Sequence, residues 1–156
     1  MIRIFPGDLI CVEANDSFYY AMILDKIKLF GGQLCYVLHR KSEKPLEAEE
    51  VLREVGAGFF EIVDFIWAKR EDRISRIAKK IDTSGLNQRV TFFKNTHTTK
   101  GKAEEWWIYD REGREIHRRS ILSKKEIYYP LFRRIDDILM VELVEKRWSP
   151  EQDTRI

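Results

Sequence analysis

The chain has 156 residues, 44% of them hydrophobic and 35% charged, with a formal net charge of +2. That length suits one domain able to bury about two thirds of the surface its unfolded form exposes, and the charged fraction excludes a membrane-embedded protein and a structural fibre. No apolar run approaches the ~20 residues of a membrane-spanning helix, and residues 1–8 lack the apolar stretch of a secretory signal, so a cytoplasmic location is expected.

Phe5-Pro6-Gly7-Asp8 is turn chemistry leading into a short apolar strand over 9–12. Asn15-Asp16-Ser17 turns the chain into a partner strand over 18–24, and Gly31-Gly32 separates that from a third over 34–38. Three successive antiparallel strands make a meander. After Pro45, residues 46–53 are strong helix formers with acidic groups in the first turns and a stop at Gly56, which predicts a short helix. Residues 59–67 return to β composition, with Glu61 and Asp64 interrupting an otherwise apolar run.

Ile74, Ile77, Ala78 and Ile81 fall at i, i+3, i+4 and i+7, with Arg73, Arg76, Lys79 and Lys80 on other faces, and this spacing predicts a helix. Residues 83–88 are expected as a loop, 90–93 as a strand and 95–102 as a polar, mobile connection. Residues 106–109 and 115–119 flank Asp110-Arg111-Glu112-Gly113-Arg114 with the spacing of a β-hairpin, Gly113 taking the left-handed position. Ser123-Lys124-Lys125-Glu126 has the form of a capping box, cut short by Pro130. Residues 138–144 suit a strand or a terminal helix equally. The expected architecture is a single α+β domain over 1–148 with a flexible tail over 149–156. It is built on a curved, mainly antiparallel sheet or a small SH3-like barrel, with two short helices.

The chemistry search points away from catalysis. His39, His97 and His117 sit beside no sequence signature of an activated nucleophile. Gly56-Ala57-Gly58 lacks the Lys-Ser or Lys-Thr of a phosphate loop. Asp136-Asp137 and Glu104-Glu105 fit a solvated turn or helix start better than an acid/base pair. Cys11 and Cys35 have no metal-ligand spacing and fit buried reduced thiols. The expectation is a binding protein, with neither a cofactor nor a metal.

Charge is uneven along the chain. Residues 1–68 carry 7 basic and 11 acidic groups, 69–134 carry 18 and 9, and 135–156 carry 3 and 6. A basic centre between acidic flanks suits either a nucleic-acid face or a fold that pairs one segment's charges with another's. Around the hairpin, Arg111, Arg114, Arg118, Arg119, Lys124 and Lys125 accompany Trp106, Trp107 and Tyr109. Such aromatics and cations serve base stacking and phosphate neutralisation, or the anchoring of a protein partner.

Pro6-Gly7-Asp8-Leu9-Ile10-Cys11-Val12, followed by Tyr19-Tyr20-Ala21-Met22-Ile23-Leu24, resembles the opening of the immunity protein 26 family and similar small bacterial immunity proteins. There a Gly-Asp and an apolar strand lead to a second strand of aromatic and small residues. Trp106-Trp107-Ile108-Tyr109 resembles the family's tryptophan-centred strand. The resemblance implies a cytosolic inhibitor that binds a cognate toxin domain, needing a complementary surface of ~800 Å² and no active site. Against a basic toxin, Glu47, Glu49, Glu50 and Glu54 form the candidate acidic contact. Trp106, Tyr109, Arg111, Arg114, Arg118 and Arg119 form the candidate hairpin contact, and nucleic-acid binding through residues 106–125 is the alternative function.

Overall fold

A computed structural model describes residues 1–29, 31–53 and 55–156, and shows an α+β fold. Its larger sheet has six strands in the order β5-β1-β2-β3-β4-β9. These are β1 (Leu9–Ala14), β2 (Ser17–Ile27), β3 (Gly32–Ser42), β4 (Gly58–Asp64), β5 (Ile74–Ala78) and β9 (Arg134–Asp136). All neighbours are antiparallel except β4 and β9. A smaller antiparallel sheet joins β6 (Phe93–Asn95), β7 (Trp106–Tyr109) and β8 (Glu115–Arg119).

The expected meander is present. Ala14 pairs with Ser17 across Asn15 and Asp16, whose φ values of 50° and 56° suit a two-residue type I′ hairpin. Register shifts lie between Leu9 and Ile10, Tyr19 and Ala21, and Ile23 and Asp25, and irregularities of this kind bend strands. The sheet nevertheless stays open, with β5 and β9 as edges, which excludes the SH3-like barrel.

Both faces of this sheet are buried, so its central strands are apolar without interruption. Ile10, Val12, Tyr19, Ala21, Ile23, Cys35, Val37, Phe59 and Val63 face one core, closed by Met140, Val141 and Val144 of α4 (Asp137–Glu145). Leu9, Cys11, Tyr20, Met22, Leu34, Tyr36, Leu38 and Ile62 face the other, closed by Val51 of α1 (Ala48–Arg53) together with Val90, Phe93 and Phe132. A third cluster, Trp106, Ile108, Leu122 and Leu131, lies under the small sheet.

Four short α-helices are present among the described residues, not two. Residues 138–144 resolve as helix α4, capped by Asp136, whose Oδ1 accepts from the Leu139 N–H at 2.8 Å. Residues 66–70 leave the strand expected over 59–67 to form α2 (Ile66–Arg70), and residues 84–87 within the expected loop form α3 (Ser84–Asn87). The strand expected over 90–93 lies later, as β6.

The helix expected around residues 74–81 is a strand instead. Ile74 packs in the first core, while Ile77, Ala78 and Ile81 pack against the second. An edge strand covered on both faces places apolar residues at i and i+3 on opposite sides, which imitates a helical stripe. The hairpin and the capping box form as expected. Gly113 has φ +84°, and Ser123 and Glu126 exchange side-chain-to-backbone hydrogen bonds of 2.7 and 3.2 Å. Residues 149–156, expected as a flexible tail, make defined contacts. Pro150 is buried, Arg155 Nη1 donates to the Thr98 carbonyl at 3.1 Å, and the Ala103 N–H donates to the Arg155 carbonyl at 2.8 Å.

Candidate functional site

Five arginines of the central basic segment pair with carboxylates of the flanking acidic ones. Arg76 reaches Asp8 at 3.3 Å, Arg111 reaches Asp25 at 2.8 Å, Arg133 reaches Glu61 at 2.8 Å, Arg134 reaches Asp64 at 3.7 Å, and Arg73 reaches Asp137 at 2.9 Å. Part of the sequence's charge asymmetry thus becomes internal cross-linking, while Lys79, Lys80, Lys100, Lys124 and Lys125 of the same segment are exposed.

The hairpin residues behave alike. Trp106 is 2% exposed and belongs to the third core. Tyr109 is half-buried and stacks on Phe132 with centroids 4.7 Å apart. Arg111 also donates to the Asn87 side chain at 2.7 Å, so it ties α3 to the hairpin. Arg114 is exposed but bound to Asp110 at 2.7 Å, Arg118 to Glu115 at 2.5 Å, and Arg119 to Glu126 at 3.1 Å. Trp107, half-buried, lies under the Arg118 guanidinium, 5.9 Å from its ring centroid, and edge-on to His97. The six residues therefore share one hairpin, yet Trp106 is unavailable to a partner and the four arginines already hold carboxylates.

On α1 the opposite holds. Glu47, just before the helix, and Glu49 and Glu50 in its first turn are exposed, and none has an ion-pair partner among the described residues. Only Val51 of the helix is fully buried, so the carboxylates project away from the core that anchors it. Glu54, the fourth member of this group, lies outside the described residues. Glu43 and Lys44 are exposed in the approach to α1, and Arg53 in its last turn.

An exposed apolar group at the end of the β4–β9 pair escaped the sequence reading. Asp64 and Asp136 share a rung, and two residues beyond each stand Ile66 and Ile138, 40% and 57% exposed. Trp67 beside them is 50% exposed, with the Arg70 guanidinium 5.2 Å from its ring centroid. Taken as the end of a strand, Trp67 gives no sign of this placement. Its exposure follows from α2 turning the chain away after Phe65, which stays in the core.

Most of the groups considered for catalysis are engaged elsewhere. His39 Nε2 lies 2.7 Å from the Trp148 carbonyl, His97 rests on Trp107, and His117 is exposed on β8. Burial pushes the Cys11 thiol up to about 11 and the Cys35 thiol still higher, so both stay protonated near neutral pH. Asp136 caps α4, and Asp137 is buried against Arg73. Among the described residues no three His, Cys, Asp or Glu side chains converge as they would round a metal ion, and no helix is long and apolar enough to cross a membrane. Compared with models of protein families, with curated proteins and with solved structures, the chain matches none.

Proposed function

We propose that this chain is a non-catalytic binding protein that neutralises a cognate bacterial toxin domain in the cytoplasm, engaging a basic partner through the acidic face of α1. The observation that carries the reading is the contrast in pairing. Glu47, Glu49 and Glu50 stand exposed without counter-ions among the described residues, while the hairpin arginines are tied to carboxylates. Unpaired charge of one sign steers a partner of the other and raises the association rate. The resemblance of residues 6–12, 19–24 and 106–109 to bacterial immunity proteins points to the same class of partner.

The nucleic-acid alternative has less support, because each candidate arginine would have to exchange a carboxylate for a phosphate. The test is association with a basic toxin domain, should one be encoded beside this gene, measured at low and high salt. Glu47→Lys/Glu49→Lys/Glu50→Lys should slow association about tenfold or more at low salt and change dissociation little. An unchanged association rate would remove α1 from the interface. Tight binding of DNA or RNA with a steep salt dependence, and none to the toxin domain, would replace the reading altogether.

A further inference from the structure

Glu61 is the one charged side chain on an otherwise apolar row of β4. Phe59 and Val63, two residues to either side, both face the first core, and Glu61 between them is 0% exposed. Burying an ion pair contributes little net stability, and apolar replacements of similar volume commonly serve as well or better. What Glu61 does is hold Arg133. It accepts from Arg133 Nη2 at 2.8 Å and from Nε at 3.3 Å, and the guanidinium carbon lies 5.4 Å from the Trp148 ring centroid. The guanidinium is thereby fixed on two sides.

The remaining nitrogen, Nη1, has no hydrogen-bond partner among the described residues, and the Arg133 side chain is one-third exposed. Arg133 lines a cavity of about 580 Å³ between the small sheet and the C-terminal segment. The half-buried Trp148 indole gives this cavity an apolar wall, while Thr99, Gln152 and Thr154 bring polar side chains to it. Its second arginine, Arg155, has no free donor edge, because it binds Asp153 through Nε and Nη2 and the Thr98 carbonyl through Nη1. The Asp153 carboxylate disfavours a dianion, so the cavity offers one open cationic edge, neutral polar groups and an apolar wall.

We infer that this cavity binds a single carboxylate carried on a small apolar body, with Arg133 Nη1 as its charged donor and Trp148 against the body. The proposal does not rest on toxin binding. The carboxylate could belong to a free small acid or to an acidic side chain of a protein partner.

Benzoate and N-acetylglutamate α-amide are the probes for these two sources, each titrated into the full chain while the Trp148 indole N–H is followed by NMR. Saturable shifts with at least one probe are expected, with a Kd on the order of millimolar. Preference for benzoate points to a free acid and preference for the amide to a side chain. Inorganic phosphate, which has no apolar body to set against Trp148, should bind more weakly than the better probe. Arg133→Met alone strands Glu61, so the loss-of-site variant is Glu61→Leu/Arg133→Met, which removes both charges together and should abolish the shift. Thr99→Val and Thr154→Val, both at exposed positions, should each weaken binding severalfold. Absence of a saturable shift with either acid at tens of millimolar, tighter binding of phosphate, or undiminished binding by the double variant would overturn the proposal.

Discussion

Replacing Arg133 by Met leaves the Glu61 carboxylate in an apolar core with its charge uncompensated. The pair is separated by 2.8 Å between Nη2 and Oε2. Unit charges about 4 Å apart at an effective dielectric of about 20 attract by roughly 4 kcal/mol, in line with the 3–5 kcal/mol typically lost when one partner of a buried pair is removed. Arg133→Met should therefore lower the urea-unfolding free energy at pH 7 by about 3–5 kcal/mol, a large share of a typical total of about 5–15 kcal/mol. Burial pushes the Glu61 carboxyl above its ordinary value, outweighing the opposing pull of Arg133. An acid whose pKa is higher in the folded state than in the unfolded one stabilises the fold at low pH, and loses that contribution as pH rises through the folded value. Without the arginine the folded value climbs further, so the Arg133→Met deficit should shrink between pH 7 and pH 5 as Glu61 becomes neutral. Glu61→Leu/Arg133→Met should recover most of the loss at pH 7. A deficit under about 1 kcal/mol at pH 7, the same deficit at both pH values, or a double variant no more stable than the single would refute this reasoning.

Gly58→Ala should cost about 1–3 kcal/mol by overpacking, because a Cβ there would lie 2.5 Å from the Val37 carbonyl oxygen and 2.7 Å from Tyr36 Cζ, and thermal unfolding would report it. Gly85→Ala is the control: nothing lies within 4 Å of its added Cβ and it sits in helix α3, so it should be neutral or stabilising by up to about 1 kcal/mol. Lys94, fully buried beside Trp106, has its ammonium pushed down to about 8 by burial. A base depressed in the folded state gives stability that is complete above the unfolded value and lost as pH falls through the folded one. Denaturation midpoints should therefore rise from about pH 8 toward pH 10 in the wild type, and Lys94→Met should flatten that slope. An equal slope in both proteins would remove Lys94 as its source.

Where local chemistry decides the structure, the sequence was legible. Asn15-Asp16 has φ values at both positions that suit a primed turn, Gly113 supplies the left-handed hairpin position, and Ser123 with Glu126 closes a capping box. The acidic first turn of α1 was visible for the same reason. The strand at Ile74–Ala78 was not, because a sheet buried on both faces uses apolar residues at every offset, and spacing then stops distinguishing strand from helix. The ion pairs that tie the basic segment to its acidic flanks were hidden by distance along the chain. Arg73 finds Asp137 64 positions away, and Arg111 finds Asp25 86 away. Of the adjacent Trp106 and Trp107, strand alternation requires opposite faces, but which one is the core face depends on how the small sheet docks.

The acceptors of Lys94 also bear on the order in which the molecule can be completed. Its ammonium donates to the carbonyls of Ile127 and Pro150, the latter at 3.1 Å, and the Trp106 ring beneath it is shared with the Arg155 guanidinium at 5.7 Å. A nascent chain that has already made both cores of the large sheet still lacks half the partners of this lysine. The third core closes only once residues 150–155 have left the ribosome, so the small sheet gains its floor after both cores of the large sheet can already have formed.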